Sequence, residues 1–274
     1  MSSSYLLTSQ DQILLDVSFD EELGFDKLLL NDWHETEQSG KESAQDKHAV
    51  ALAVESLRQM LQTAAFGTLL YSSSEVALRE LATTSCFEAA KLLRDQKSLS
   101  AQFIDCKKLR KMVSADDASL ASQEKHLFDV QLPLSRVDFL CLHQVDCFAG
   151  NTLLENFLFE LYNRRKIAPM QQLLLTTRHK ASDIAFELAD LRSRLQSFPA
   201  FRIPDRSSLN TTDTVLRLAK SYRLSLDKKM AEYIATRTDR NTDALDRALS
   251  RLDIFQRKEK KALTIPLIKR ALDI

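Results

Sequence analysis

The sequence predicts an α/β protein: a doubly wound parallel sheet followed by a C-terminal lid made only of helices. Short apolar runs alternate with amphipathic helical segments from residue 67 to residue 203. The run Val137–His143 is almost continuously apolar, which is typical of a parallel strand covered on both faces. After Pro204 only helical spacing remains. Strands separated by helices imply crossover connections and a doubly wound sheet.

The base elements follow from this alternation. The predicted strands are Gly67–Tyr71, Ala101–Ile104, Val137–His143, Leu173–Thr177 and the edge strand Phe201–Ile203. The predicted helices are Val50–Leu61, Glu75–Leu93, Cys106–Val113, Gly150–Ile167 and Glu187–Gln196. The fourth of these helices has an apolar stripe at helical spacing, formed by Leu154, Phe157, Leu158 and Leu161.

The lid is predicted from four helical segments: Asn210–Tyr222, Asp227–Thr236, Thr242–Arg257 and Ile265–Leu272. Asp227 is expected to cap its helix, and Pro266 lies in a first turn, where its missing N–H costs nothing. The resulting domains are a flexible tail over 1–25, a base over 26–205 and a lid over 206–274. Within the base, His34–His48 has almost no apolar side chain and is expected to be a loop.

Composition excludes several classes of protein. Lys and Arg number 38, as do Asp and Glu, so no global charge favours nucleic acid or membrane as a partner. We found no apolar run long enough to span a membrane and no secretory signal, and the four cysteines are too scattered for a disulfide framework. We expect a cytoplasmic protein. Residues 1–50 are acidic and residues 206–274 are basic, which indicates two different partners or an attraction within the chain.

Strand–loop–helix order of this kind is typical of nucleotide-binding ATPases, yet the phosphate loop is missing. Such a loop needs glycines, a Lys and a Ser or Thr. Here the strand Gly67–Tyr71 leads into Ser72–Arg79, and no glycine occurs between Gly67 and Gly150. Leu78 and Arg79 occupy the region where the Lys and the hydroxyl residue would fall.

One cluster, Cys141 to Cys147 with His143 and Asp146, has the residue types of a metal site. Strand alternation points Cys141 and His143 to one face, and no second ligand pair is evident elsewhere. We therefore expect no metal.

Three segments, 140–164, 173–195 and 239–272, resemble the DnaA family of AAA+ proteins. Within that family they are most similar to the Hda group, which lacks the DNA-binding domain. The features that carry the resemblance are the helix ENFLFELYNR, the box DLRSRL and the ending TIPLIK. The resemblance implies an AAA+-like αβα base with a helical lid. It also implies a role in regulating the initiation of DNA replication, in which Hda joins the sliding clamp and stimulates ATP hydrolysis by DnaA.

Carried over residue by residue, the resemblance implies a degenerate nucleotide site. The Walker B acids align with His143 and Gln144, the sensor 1 residue with Thr177 and Arg178, and the sensor 2 Arg with Asp243, which has the opposite charge. Together with Leu78 and Arg79 these departures predict a pseudo-ATPase rather than an enzyme. We expect no cofactor, and weak ADP binding through Arg79 stays open.

Two further sites follow from the resemblance. Arg194 aligns with an arginine finger that acts in trans on a neighbouring subunit's nucleotide; alternatively it is a solvated helix charge. Residues Gln12, Ile13, Leu14, Leu15 and Val17 resemble a clamp-binding peptide. The alternative is that Leu14 and Leu15 pack on the base.

The sequence therefore predicts a non-hydrolysing adaptor that docks on the sliding clamp and on a DnaA-type initiator. Two alternatives stay open: an interaction module of the replication machinery without DnaA inactivation, and an active ATP- or ADP-binding AAA+ protein. In a minor variant the basic segment Arg257–Arg270 contacts nucleic acid, but we expect nucleic acid to be reached only indirectly. Association with further copies of this chain is also open.

Overall fold

The computed structural model describes residues 14–15, 25, 40–63, 65–93, 100–114, 119–168, 170–204, 211–239, 242–259 and 262–273. Its strands are β1 (Leu14–Leu15), β2 (Gly67–Tyr71), β3 (Ala101–Asp105), β4 (Phe139–His143), β5 (Gln172–Thr177) and β6 (Ala200–Arg202). Its helices are α1 (Gly40–Thr63), α2 (Glu75–Leu93), α3 (Cys106–Val113), α4 (Leu120–Leu134), α5 (Thr152–Ile167), α6 (Ala189–Gln196), α7 (Thr211–Ser221), α8 (Lys228–Arg237), α9 (Thr242–Glu259) and α10 (Ile265–Leu272). Short 3-10 helices cover Val145–Phe148 and Ala181–Asp183.

The strands form a sheet in the order β1-β3-β4-β5-β2-β6. All pairings from β3 to β6 are parallel, and β1 is antiparallel to β3. Because parallel strands end at the same edge of a sheet, the residues that follow β2, β3, β4 and β5 meet there. Asp105 and His143, the last residues of β3 and β4, are register partners at this edge.

Helices cover both faces of the sheet, as the apolar strands predict. One core packs α1 and α2 against residues such as Phe139 and Cys141 of β4. The other core packs side chains of α3 to α6 against Leu140 and Leu142 of the same strand. The predicted α5 stripe is confirmed, because its four apolar side chains are all buried.

Arg165, near the end of α5, bonds to the main chain where β4 and β5 begin. Its buried guanidinium donates to the carbonyl oxygens of Leu134 (2.9 Å), Val137 (2.7 Å) and Asp138 (3.2 Å) and to that of Gln172. Burial lowers its pKa to about 10, so the group remains charged at neutral pH. These bonds fix the chain entering β4 and the start of β5.

Helices α7 to α10 form a lid with its own core, which includes Leu218, Ile234 and Leu249. Val76 of α2 joins this core, so the lid packs directly on the base. The predicted capping is confirmed: Asp227 accepts from the Met230 N–H at 2.8 Å, and Pro266 lies at the start of α10.

The structure corrects two predictions. Residues 40–48, predicted as part of a loop, belong to α1, where this polar stretch extends the amphipathic part of the helix by about two and a half turns. Helix α4 was not predicted at all. Its apolar residues do not form a clean stripe, because Leu120, Phe128 and Leu132 are exposed, and Pro133 lies inside the helix.

Two points of the N-terminal segment are described. The main chain of Leu14 and Leu15 pairs with Ile104 and Phe103. Phe25 is buried, and its N–H donates to the Glu88 carboxylate at 3.0 Å. The rest of the predicted tail, including Gln12, Ile13 and Val17, lies outside the described residues, so the tail and its clamp-binding peptide stay predictions.

Candidate functional site

The connection from β2 to α2 is three serines long, Ser72 to Ser74. The Ser72 hydroxyl accepts from the Ser74 N–H at 3.0 Å, and the Ser74 hydroxyl accepts from the Ala77 N–H at 3.3 Å. Side chains therefore satisfy amides that a phosphate loop would present to a nucleotide. Glu75 in the first turn has a negative charge that suits the helix dipole, and its carboxylate accepts from the Lys107 ammonium at 2.9 Å.

Arg79 is, with Arg165, one of the two largest fully buried side chains described. Its Nε donates to Ser221 Oγ at 3.2 Å, and its Nη2 donates to the Tyr222 hydroxyl at 2.8 Å. Its Nη1 lies 3.2 Å from both Asp105 Oδ2 and Asp246 Oδ1. We call these five residues the Arg79 cluster. The Tyr222 hydroxyl completes it by donating to Asp246 at 2.7 Å.

Arg79 and Asp105 hold each other in their charged forms. Burial alone would lower the pKa of Arg79, but the carboxylates of Asp246 and Asp105 raise it above its ordinary value. Burial alone would raise the pKa of Asp105, but Arg79 lowers it below its ordinary value. Burial raises the pKa of Tyr222 despite Arg79, so its hydroxyl remains protonated and can donate. Within the cluster, one cation thus faces two carboxylates, so Arg79 itself offers no unpaired charge to a triphosphate.

The end of β4 carries two buried polar side chains instead of acids. His143 Nδ1 lies 2.8 Å from Thr176 Oγ1, which also accepts from the Gln144 N–H at 2.9 Å. Burial, with a contribution from Arg79, lowers the pKa of His143 to about 3, so the ring is neutral. Gln144 has a left-handed backbone conformation with φ 61°. The nitrogen and oxygen of its side-chain amide have no hydrogen-bond partner among the described residues. Neither side chain offers a carboxylate for magnesium or for activating water.

Asp146, two residues after Gln144, contacts Arg178, the residue that follows β5. Its carboxylate accepts from the Arg178 N–H at 3.2 Å and lies 3.1 Å from Arg178 Nε. Thr177 is buried and donates to the His179 carbonyl at 2.7 Å. Within the described residues no group of three His, Cys, Asp or Glu side chains is arranged to hold a metal. The residues present do not fit a magnesium nucleotide.

Two other positions were predicted for the nucleotide site, Leu78 and Asp243. Leu78 is fully buried in the core of α1 and α2, away from the Arg79 cluster. The side chain of Asp243 lies outside the described residues. Asp246, on the next turn of α9, is the lid carboxylate that meets Arg79. Sequence comparison missed Asp105, Ser221, Tyr222 and Asp246. The available signal was Arg79 itself, since a buried Arg on an apolar stripe requires carboxylates nearby.

The predicted arginine finger lies on a different surface. Arg194 is exposed in the last turn of α6, and its guanidinium carbon lies 5.6 Å from the Tyr162 ring centroid and 6.0 Å from that of Phe159. No carboxylate pairs with it among the described residues. Arg192 is exposed on the same helix.

A buried carboxylate fixes the start of α6. Glu155 accepts from the N–H groups of Gly150 (2.9 Å), Glu187 (3.1 Å) and Leu188 (2.8 Å). Leu188 is the residue that precedes α6. Glu155 therefore holds the helix that carries Arg194 in a fixed position against α5.

Known proteins match both parts of the chain. Residues 210–272 match the family model described as Hda, lid domain. Domain III of the replication initiation protein DnaA from Thermotoga maritima aligns with 93% of this chain and 98% of its own, with a TM-score of 0.52 and 13% identity. The C-terminal segment is thus similar to the Hda lid domain, and the chain has the fold of DnaA domain III. This confirms the resemblance and the fold class predicted from the sequence.

Two longer structures also align. DnaA bound to AMPPCP and single-stranded DNA aligns with 76% of this chain at a TM-score of 0.46 and 16% identity. AMPPCP-bound DnaA from Aquifex aeolicus aligns with 77% at 0.45 and 15%. This chain covers 64% and 65% of them, slightly less than two thirds of their length. Among the described residues of the present chain, no helix is long and apolar enough to cross a membrane.

Proposed function

We propose that this Hda-like protein is a non-hydrolysing adaptor in the regulation of replication initiation. It docks on the sliding clamp through its N-terminal segment and on a DnaA-type ATPase through the surface around Arg194. The coarser part of this statement, a relation to DnaA-type replication proteins, rests on the Hda lid and the DnaA domain III fold. The finer part rests on the geometry of α6 and of the β2–α2 connection.

Arg194 is the observation that carries the proposal. An arginine finger acts by neutralising charge in the transition state of a phosphoryl transfer on another subunit, so it needs to be exposed and rigidly supported. Arg194 is exposed, its guanidinium carbon lies 5.6 Å from the Tyr162 ring centroid, and its helix begins at a residue held by buried Glu155. Such a finger works without a nucleotide on its own subunit.

The residues at the ends of β2, β4 and β5, where a nucleotide site would lie, support the non-hydrolysing part of the proposal. Serine side chains occupy the amides at the start of α2, and Arg178 engages Asp146. Hydrolysis of ATP requires both a group that binds the metal ion and a group that positions the attacking water. The residues at the ends of β4 and β5 would have to supply them. A neutral His143 and an amide at Gln144 supply neither.

The N-terminal segment supplies the clamp contact. An extended peptide binds a partner through main-chain hydrogen bonds and a few apolar anchors. The pairing of Leu14 and Leu15 with β3 shows that this part of the segment can take an extended form. Docking on the clamp then exchanges the β3 edge for the groove of the partner.

The experiment measures ATP turnover by a DnaA-type initiator in the presence of DNA-loaded clamp and this protein. The wild-type adaptor should accelerate turnover, and Arg194→Ala should return it to the basal rate, because fingers of this kind contribute about 10³-fold or more. Arg192→Ala is the matched control, since it removes an exposed Arg from another side of the same helix. Equal stimulation by wild type and Arg194→Ala would sink the finger assignment.

Two further measurements separate the parts of the proposal. Gln12→Ala with Leu15→Ala should abolish co-sedimentation with the clamp, whereas Gln10→Ala, just outside the peptide, should retain it. Calorimetry with Mg-ATP should detect no binding to the adaptor alone. Tight binding, or turnover without a partner, would instead establish an active AAA+ ATPase.

A further inference from the structure

We propose that the Arg79 cluster takes the place of a nucleotide as the link between base and lid. The lid is then held closed permanently and does not respond to ATP. This inference goes beyond the adaptor function, because it requires neither the clamp nor a DnaA-type partner. It concerns how the two parts of the chain are held together.

The contacts of Arg79 cross the boundary between base and lid. Arg79 belongs to α2 and Asp105 ends β3, so both are base residues. Ser221 ends α7 and Asp246 lies in α9, so both are lid residues. One guanidinium thus bonds within 3.2 Å to the base and to two separate lid elements. Its planar, multiply bonded geometry permits few relative orientations of the two parts.

The charged groups of the Arg79 cluster are also shielded from water and pair with one another, which we call the electrostatic closure of the cluster. Arg79 and the two carboxylates are desolvated, with side-chain exposures of 2% for Arg79, 7% for Asp105 and 13% for Asp246. Separating base from lid would break every contact of Arg79 with the lid residues of the cluster and leave Asp105 as its one charged partner in it. In the closed arrangement these polar groups satisfy one another, and no ligand is needed for that.

Neighbouring contacts cross the same boundary and point in the same direction. Arg217 of α7 lies 3.3 Å from Glu80 of α2. Lys108 of α3 donates to Ser250 of α9 at 3.2 Å, and its ammonium lies 5.5 Å from the Tyr222 ring centroid. The base–lid contact is therefore a continuous surface, with the Arg79 cluster at its buried centre.

A bound nucleotide joins base and lid only while it is present, whereas the Arg79 cluster is part of the chain. The relative position of the two parts should consequently be the same with and without ATP. The surface of α6 and the surface of the lid are then presented to partners in one fixed arrangement.

The test is a distance measurement between base and lid by pulsed electron paramagnetic resonance. Spin labels are placed at two exposed helix positions, Gln196→Cys in α6 and Glu232→Cys in α8. Labelling of the chain without these substitutions gives the background from the native cysteines. The wild-type pair should give one narrow distance distribution, unchanged by Mg-ATP. Arg79→Ala should broaden it, and Tyr222→Phe, which removes one hydroxyl, should broaden it less.

Controls distinguish a linking role from a general loss of structure. Circular dichroism must show native helix content, and if Arg79→Ala does not fold, Tyr222→Phe decides. Arg251→Met removes an exposed ion pair with Asp273 inside the lid and should leave the distribution narrow. The inference is overturned if the Arg79 and Tyr222 variants match the wild type. It is equally overturned if the wild-type distribution is broad and narrows on addition of Mg-ATP.

Discussion

The substitution Arg79→Met should destabilise the protein by about 3–5 kcal/mol, the cost of breaking a buried ion pair by removing one partner. Methionine fills much of the volume of Arg79 but leaves Asp105 and Asp246 facing each other with little water around them. It also removes the donors to Ser221 and Tyr222. These losses are not additive, because they belong to one hydrogen-bonded unit.

Removing the remaining charges should recover most of that loss. In Arg79→Met with Asp105→Asn and Asp246→Asn, no buried charge is left unpaired, and replacing a whole buried ionic group is often neutral. The assay is urea unfolding at neutral pH, followed by circular dichroism and fitted to a linear dependence on denaturant. If Arg79→Met costs less than about 1 kcal/mol, as for an exposed pair, the electrostatic closure of the cluster is refuted. A triple variant no more stable than the single one would refute it too.

Three other outcomes are expected. Because burial and Arg79 lower the pKa of His143 to about 3 while an unfolded His titrates near 6.5, the unfolded chain binds the extra proton between these values. Stability should then fall by about 1.4 kcal/mol per pH unit as pH drops below about 6, and His143→Gln should remove this contribution; parallel pH profiles of the two proteins would contradict it. Glu155→Gln replaces a carboxylate that accepts three N–H groups and should cost about 2 kcal/mol in urea unfolding while reducing stimulation of the partner ATPase, whereas an unchanged midpoint would exclude the supporting role. Gln144→Met removes a buried amide without a partner in the described part of the chain and should raise stability by about 1 kcal/mol, so a clear loss in the same assay would mean that the amide is satisfied.

The parallel sheet and most of the helices could be predicted from the sequence because apolar periodicity decides them locally. Helices α2, α3 and α10 have the predicted bounds, and β2 does as well. The prediction of helices failed where the buried residues do not recur at the helical spacing of about 3.6 residues. Helix α4 exposes Phe128 and Leu132, and the first turns of α1 are polar, so neither has a continuous apolar stripe.

The candidate site was less predictable, because its members come from distant parts of the chain. Alignment to the family motif brought Arg79 forward as the remnant of a phosphate loop. It did not identify Asp105, which is 26 residues away, or Tyr222, which is 143 residues away. Ionic partners of a buried cation are set by how the base and lid pack, and no local periodicity carries that information. Arg194 could be proposed from the sequence because it belongs to a contiguous box, and its role stays a prediction.

The stripe of α2 explains why an Arg at this position has consequences for the whole molecule. Val76, Arg79 and Cys86 are all buried on this helix, so position 79 is one where an apolar side chain would ordinarily pack. An apolar residue there could also stabilise the base–lid contact, because buried ion pairs rarely exceed hydrophobic packing in stability. The guanidinium makes the contact directional, because its N–H groups must meet their acceptors at fixed angles. These acceptors are Asp105 at the end of β3, Ser221 at the end of α7 and Tyr222 just after it. An apolar contact tolerates sliding of the lid, whereas this hydrogen-bonded contact does not, so a single substitution at position 79 should alter lid orientation more than a comparable loss of apolar area.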